Sequence, residues 1–451
     1  MKKIMLFFGF YFSSLFFVKA QTVQPFGPIP SARQLQWSNM EYYFFIHFGP
    51  NTFTDLEWGK GTEHEEVFNP TDLDCRQWCR IAKAAGAKGV MITAKHHDGF
   101  CLWPSKYSTH TVAQSKWKNG KGDVLRDLRN ACNEYGLKMG VYLSPWDRNH
   151  PAYGTDGYND VYVNMMKEIV QNYGPFFEFW WDGANGEGPN GKKQVYDFRR
   201  FENTMRSIAP NTVVFSDIGP DIRWVGNESG FAGKTNWDLL DTAGFTRGAG
   251  GPSQDTLNAG NENGKNWIPA ECDVSIRPGW FYHQQEDDKV KTPEQLFQLY
   301  LKSVGRGSAL LLNIPPDRRG LINEHDSIAL VGFKKLRDES FGKAILDKKF
   351  PLAYNNNYQI RFGSLKKINC IVLKEPIQLG QRVKNFKIQI KKDGNVVKEI
   401  VGTTIGKKRI LTFESLEANG FDIIFIDAKA KPIVSEASAY LIDEGLIEKD
   451  N

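Results

Sequence analysis

Polar residues that close short apolar runs are the side chains of this 451-residue chain best placed for chemistry. His47 follows Tyr43-Phe44-Phe45-Ile46, and Lys95-His96-His97-Asp98 follows Gly89-Val90-Met91-Ile92-Thr93. Tyr142 closes Lys138-Met139-Gly140-Val141, and Asp182 closes Phe177-Glu178-Phe179-Trp180-Trp181. Further along stand Glu228, in Trp224-Val225-Gly226-Asn227-Glu228, and Glu271 with Asp273, in Pro269-Ala270-Glu271-Cys272-Asp273. Carboxylates on separate strand ends, ringed by Trp and Tyr, have the parts for glycoside hydrolysis: one attacks an anomeric carbon while another gives a proton to the leaving oxygen. His47, His96 and His97 raise a rival, a metal-dependent hydrolase. Adjacent histidines on an extended segment point to opposite sides, which argues against both reaching one ion. A second rival is a glycan-binding protein that keeps the aromatic rings and lacks a working acid.

Active-site groups gathered at strand ends require a parallel sheet to hold them. From Tyr42 to about Phe341, eight strand-like runs alternate with amphipathic stretches such as Leu73–Ala85, Val124–Tyr135, Asp160–Tyr173 and Pro293–Val304. Besides the runs above, strands are expected at Thr212–Phe215, Asp221–Trp224, Trp267–Ala270 and Ala309–Asn313. Eight strands with helical crossovers predict a (β/α)8 barrel over residues 21–341. No glycine-rich phosphate loop follows the first strand, as an open dinucleotide-binding sheet would need. Beyond residue 341 the helical period gives way to short strand patterns such as Phe386–Ile390 and Phe421–Ile426, with turns such as Asp393-Gly394-Asn395. This predicts an antiparallel β-sandwich over 342–451.

The sequence resembles glycoside hydrolase family 29, the α-L-fucosidases. Ile46-His47-Phe48-Gly49, Glu57-Trp58, Thr93-Ala94-Lys95-His96-His97-Asp98-Gly99-Phe100 and Trp180-Trp181-Asp182-Gly183 carry the resemblance, which covers about Phe45 to Pro316. It implies a barrel followed by a β-sandwich, a retaining mechanism with an aspartate nucleophile, no metal or other cofactor, and a fucosylated oligosaccharide or glycoconjugate as substrate. Asp182 falls on the family's nucleophile. His47, Glu57, Trp58, His96, His97, Tyr142 and Trp180 resemble its fucose-pocket residues. The Glu228 segment looks like the acid/base segment of the subgroup acting on α-1,3 and α-1,4 linkages. Glu271 is the rival acid, because apolar Pro269 and Ala270 beside it would raise a carboxyl pKa; Glu271 and Asp273 could instead contact substrate hydroxyls. Trp280, Tyr282 and His283 either line the pocket or pack their loop, and Arg223 either binds the sugar or orients the carboxylates.

Net charge is +5, and the segment from Phe341 onward carries 19 basic against 13 acidic residues, leaving the rest near neutral. The excess lies in alternating, strand-like segments, where solvated faces account for it better than nucleic-acid binding. Residues 1–20, with Lys2-Lys3, an apolar run to Val18 and Lys19-Ala20, read as a signal peptide cut after Ala20, so that the protein is secreted, into the periplasm or onto the surface. A lone membrane anchor is the alternative, although the run is shorter than a bilayer requires; no later segment is apolar enough to cross. Six cysteines are too few for a disulfide framework. Cys75 and Cys79, four apart on a helix, read as small buried residues rather than as half of a zinc site.

Overall fold

The apolar runs become the staves of a closed barrel in the computed structural model, which describes residues 23–447. The signal-peptide segment lies outside the described residues. In chain order the first six strands are β1 (Tyr42–Ile46), β2 (Gly89–Lys95), β3 (Lys138–Leu143), β4 (Glu178–Trp180), β5 (Val213–Ser216) and β6 (Ile222–Trp224). The chain then leaves the barrel for a two-stranded ribbon, β7 (Leu239–Leu240) with β8 (Asn266–Trp267), and returns as β9 (Ala270–Ser275) and β10 (Ala309–Asn313). All eight barrel pairings are parallel, in the order β1-β10-β9-β6-β5-β4-β3-β2.

The barrel is apolar on both faces, as parallel strands covered by helices must be. Tyr43, Phe45, Met91, Trp180, Phe215 and Leu311 fill its interior. Phe44, Val90, Ile92, Val141 and Leu310 face outward under the helices. The first helix, α1 (Ala32–Ser38), begins on a Ser31/Gln34 capping box and brings Trp37 against Tyr43 in the interior cluster. The short α2 (Pro50–Thr54) follows β1, and α3 (Cys75–Ala84) and α4 (Val124–Tyr135) start on Asp74 and Asp123, whose carboxylates accept helix N–H groups. All six cysteines are buried as free thiols, Cys75 and Cys79 on the inner face of α3.

The seventh barrel strand departs from expectation. Trp267-Ile268-Pro269-Ala270 reads as one apolar run, but Pro269 has no N–H to offer a ladder and separates the ribbon from the barrel. The barrel strand therefore starts at Ala270 and continues to Ser275. Glu271 becomes its second residue, deep in the barrel, and Asp273 stands nearer the rim.

The C-terminal unit is one six-stranded antiparallel sheet folded over on itself. Its strands are β11 (Leu346–Lys349), β12 (Asn357–Lys374), β13 (Val383–Lys392), β14 (Asn395–Gly402), β15 (Arg409–Ala428) and β16 (Glu436–Tyr440). The pairing of β12 with β15 breaks register between Arg361 and Lys366, and each strand contributes to both layers. Ile360 and Phe421 from one layer and Ile371 and Leu411 from the other share a core, which gives the expected sandwich. The Asp393-Gly394 turn joins β13 to β14 with both residues at positive φ, the geometry of a tight hairpin. Gln381 clamps the sandwich to the barrel domain, accepting from the Asp238 N–H and donating to the Asn236 carbonyl, both at 2.9 Å.

Candidate active site

At the C-terminal end of the barrel, the strand ends surround a cavity of about 170 Å³, smaller than pockets for drug-sized ligands and suited to one small ring. β1 supplies His47, the turn after β2 supplies His96 and His97, β3 supplies Tyr142, and β4 leads through Trp180 to Asp182. Glu57 and Trp58 come from the loop after α2, Glu228 from the loop after β6, and Trp280 from the loop after β9. A wider hollow of about 320 Å³ at the opposite end is lined by Arg33, Trp37, Arg129 and Lys138, with no carboxylate among its described lining residues.

Asp182 is held as a directed acceptor. Its Oδ1 accepts the Ala184 N–H at 2.7 Å and its Oδ2 accepts the Tyr142 hydroxyl at 2.9 Å. Parallel pairing of β3 with β4 sets Tyr142 opposite Trp180 and so brings the phenol to the strand end. Burial, followed by the Asp182 charge, pushes the Tyr142 phenol well above its ordinary range, so it stays a donor. The carboxylate keeps 24% of its side chain exposed to the cavity.

Hydrogen-bond counting fixes the state of two histidines. Ser144 donates its one proton to the Trp146 carbonyl at 2.9 Å, so its contact at 2.8 Å with His97 Nδ1 requires the imidazole to donate. Asn313 donates from Nδ2 to Ser275 and to the Trp280 carbonyl, which leaves Oδ1 to accept from His47 Nδ1 at 2.8 Å. Burial holds His47 down at about 3 and His97 at about 4, and drives His96 well below its ordinary value. Neutral His47 and His97 therefore keep Nε2 as an acceptor, the group a sugar hydroxyl needs. His97 Nε2 lies 3.8 Å from Asp182 Oδ2.

A titration prediction follows. In the unfolded chain these imidazoles take up protons near pH 6.5, whereas the folded chain resists until about pH 4 at His97. The unfolded state binds more protons between those values, so stability falls as pH falls through that window, by on the order of 3 kcal/mol at most per group. His97→Gln, which does not titrate, is expected to show a shallower fall in urea midpoint between pH 6.5 and 4 than the wild type. Equal slopes would contradict a neutral, buried His97.

The histidine pair corrects the argument from extended backbone. Both rings line the cavity, with centroids 4.1 Å apart. The strand ends at Lys95, and the Gly99 N–H bonds back to the His96 carbonyl at 3.0 Å in a turn that needs the left-handed φ of +87° at Gly99. Among the described residues no group of three His, Cys, Asp or Glu is arranged to hold a metal ion.

Glu57 serves as wall and brace, accepting the Trp280 and Phe281 N–H groups at 2.8 and 3.1 Å and facing His283 Nε2 at 2.7 Å. It thereby holds Trp280 over the cavity. Trp58, 59% exposed, stands at the rim edge-on to His97 and Trp146. Glu228 is exposed, and its Oε2 accepts the Trp280 indole N–H at 3.2 Å. Tyr282 and His283 turn away to Asp287, Asp55 and Glu57, and so pack their loop.

Two expected residues do not reach the cavity. Arg223 faces outward from β6 and is fully buried, donating to the carbonyls of Leu257 at 2.8 Å and Trp237 at 3.1 Å, where it tethers the excursion between β6 and β9. Glu271 lies beneath Trp180, accepting its indole N–H at 2.9 Å, and faces Tyr43, whose hydroxyl donates to Glu178 at 2.7 Å. The single Tyr43 proton cannot serve both carboxylates, so one of the two acids carries its own. Burial pushes Glu271 up to about 7 and Glu178 well above the carboxylate range. Glu271 thus has the raised pKa expected of an acid but supports the pocket floor from below. Phe45 and Ala184 also line the cavity; the parity of β1, which sets Phe45 on the inward face with Tyr43, was the available signal for Phe45. Asp273, two residues above Glu271 on the same face of β9, reaches the cavity as well.

The family model for alpha-L-fucosidase matches residues 31–333, from the start of α1 past the last barrel strand into the helix Glu324–Phe341 that follows it. The chain belongs to the alpha-L-fucosidase family. It is similar to Alpha-L-fucosidase 1 of Arabidopsis thaliana, at 40% identity over 452 residues covering 92% of this chain and 88% of the relative. Among solved structures, a glycoside hydrolase 29 family member from an unknown rumen bacterium superposes with a TM-score of 0.86 at 42% identity, covering 93% of this chain and 78% of the other. A Ruminococcus gnavus fucosidase of the same family, solved in complex with fucose, superposes with a TM-score of 0.83 at 28% identity, covering 95% of this chain and 98% of the other. This fucosidase chain is accordingly a glycoside hydrolase, and its barrel and sandwich are those of family 29 structures. Among the described residues no helix is long and apolar enough to cross a membrane.

Proposed function

We propose that this enzyme is a retaining exo-α-L-fucosidase that removes terminal fucose from oligosaccharides or glycoconjugates, with Asp182 as nucleophile and Glu228 as acid/base. The observation that carries the reading is the Asp182 carboxylate, aimed by Tyr142 and the Ala184 N–H into a cavity that Glu228 also borders. In the first step an Asp182 oxygen bonds to the anomeric carbon as the glycosidic bond breaks, and the Glu228 proton passes to the leaving oxygen. In the second, Glu228 takes a proton from water, whose oxygen displaces the Asp182 ester and releases fucose. His47 and His97 accept sugar hydroxyls through Nε2, and Phe45, Trp180 and Trp280 give the 6-deoxy methyl apolar surroundings.

The Glu228 segment favours α-1,3 and α-1,4 linkages, and residues 1–20 favour export. Proton NMR during hydrolysis of an aryl α-fucoside tests the mechanism: α-fucose is expected as the first-formed anomer, and β-fucose appearing first would refute retention. Hydrolysis rates on α-1,2, α-1,3, α-1,4 and α-1,6 fucosides test the linkage reading, which fails if the first or last is preferred. An exported protein beginning at Gln21 is the expected result of N-terminal sequencing, and a retained Met1 is the contrary one.

A further inference from the structure

Lys95 closes β2 completely buried, and it does not line the cavity. The pairing of β2 with β3 breaks register between Thr93 and Lys95, and a break of this kind re-aims a side chain. The ammonium has three donors and meets three acceptors: Asp147 Oδ2 at 3.1 Å, the Tyr158 hydroxyl at 3.2 Å and the Trp146 carbonyl at 3.3 Å. Asp147, equally buried, ties the same loop together by accepting the Asn149 and His150 N–H groups at 3.0 and 2.8 Å. The Trp146 carbonyl takes a second donor, Ser144 Oγ at 2.9 Å, and Ser144 in turn accepts from His97 Nδ1 at 2.8 Å. An unbroken chain of hydrogen bonds thus runs from Lys95 to the imidazole. We propose that Lys95 is a positioning residue: paired with Asp147, it fixes the Trp146 carbonyl, on which Ser144 and through it His97 are aligned toward the sugar. The proposal rests on reading His97 as the acceptor of a sugar hydroxyl.

The ammonium also acts on His97 through its charge, which separates this role from that of a structural brace. Burial does most to hold His97 down at about 4; the Asp182 charge opposes it, and Lys95 and Arg148 add to it. The other groups around the ring are imidazoles, His96 beside it with centroids 4.1 Å apart and His47 on β1, both kept neutral by burial. Removing the Lys95 charge therefore lets His97 take up a proton at higher pH. A protonated imidazole has no acceptor nitrogen left for a sugar hydroxyl. The acidic limb of kcat/KM is then expected to move to higher pH, an effect that loosened packing alone does not produce. Ser144→Ala cuts the chain of hydrogen bonds while leaving the ammonium in place, so it is expected to weaken binding without that movement.

The test is steady-state kinetics on an aryl α-fucoside across the acidic limb for the wild type, the double variant Lys95→Met/Asp147→Asn, Ser144→Ala, the three changes combined, and His97→Ala, with melting temperatures as the folding control. Neutralising Lys95 and Asp147 together avoids stranding one charge in the interior. The double variant and Ser144→Ala are each expected to raise KM by roughly tenfold to a hundredfold, with a smaller change in kcat. The combined variant is expected to lose little more than the worse of the two, because the links act in series. Only variants lacking Lys95 are expected to shift the acidic limb upward. A folded double variant with wild-type KM and acidic limb overturns the proposal, as do losses that multiply in full in the combined variant. Ser144→Ala with wild-type KM overturns it as well, whether or not the double variant folds. His97→Ala with wild-type KM rejects instead the reading of His97 as a sugar ligand, whereas inert Lys95 variants beside a crippled His97→Ala reject the role of Lys95 alone.

Discussion

Asp182→Ala is expected to lower kcat on an aryl α-fucoside by on the order of 10⁴-fold or more while leaving the melting temperature close to that of the wild type. The magnitude is that of removing the nucleophile from a unit whose remaining parts still bind and polarise substrate. The folding cost is small because Asp182 keeps 24% of its side chain exposed and lines an open cavity rather than the packed core. Alanine also leaves room beside the anomeric carbon. Azide in the assay is therefore expected to restore part of the rate by attacking from the emptied side and giving a fucosyl azide of inverted configuration. Normal turnover by the alanine variant would remove Asp182 from the chemistry.

Glu228→Ala is expected to divide substrates by leaving group. An activated aryl fucoside departs with little protonation, so its first step slows little, whereas an oligosaccharide leaving group needs the proton and is expected to slow by roughly 10²–10⁴-fold. Glu228 stands on an exposed loop, where it accepts the Trp280 indole N–H, so truncation leaves the barrel intact. The parallel variant Glu271→Gln separates the two glutamates. Glu271 supports Trp180 from inside the barrel, so its replacement is expected to raise KM for both substrate classes alike, without the leaving-group dependence. If that dependence follows Glu271 instead, the acid/base assignment is wrong.

Much of the fold was legible because its strands are buried on both faces and so appear as continuous apolar runs between amphipathic helices. The same double burial hides parity. Nothing in Ile222-Arg223-Trp224 tells which side chains face inward, and Arg223 proved to point out of the barrel into backbone carbonyls, with Ile222 inside. The depth of Glu271 was obscured for a related reason: Trp267-Ile268 imitates a strand start, and only the missing N–H of Pro269 marks where the barrel strand begins three residues later. His96 and His97 illustrate a limit of local rules. Alternation predicts opposite directions on a strand, but the turn closed at Gly99 abolishes it and gives the cavity both rings. The place of Asp182 at the cavity was readable because a residue that closes a barrel strand stays at the barrel mouth whatever the loops around it do, whereas its role, and the position of Glu228 on a loop with no periodicity, came from resemblance.

The most direct measurement of the central claim is peptide mass spectrometry after incubation with 2-deoxy-2-fluoro-α-L-fucosyl fluoride, which slows hydrolysis of the covalent ester and lets it accumulate. The expected result is one fluorofucosyl adduct, on the peptide containing Trp180-Trp181-Asp182-Gly183, with fragmentation placing it on Asp182. An adduct on Glu228, Glu271 or Asp273, or inactivation with no adduct on any carboxylate, would contradict the assignment.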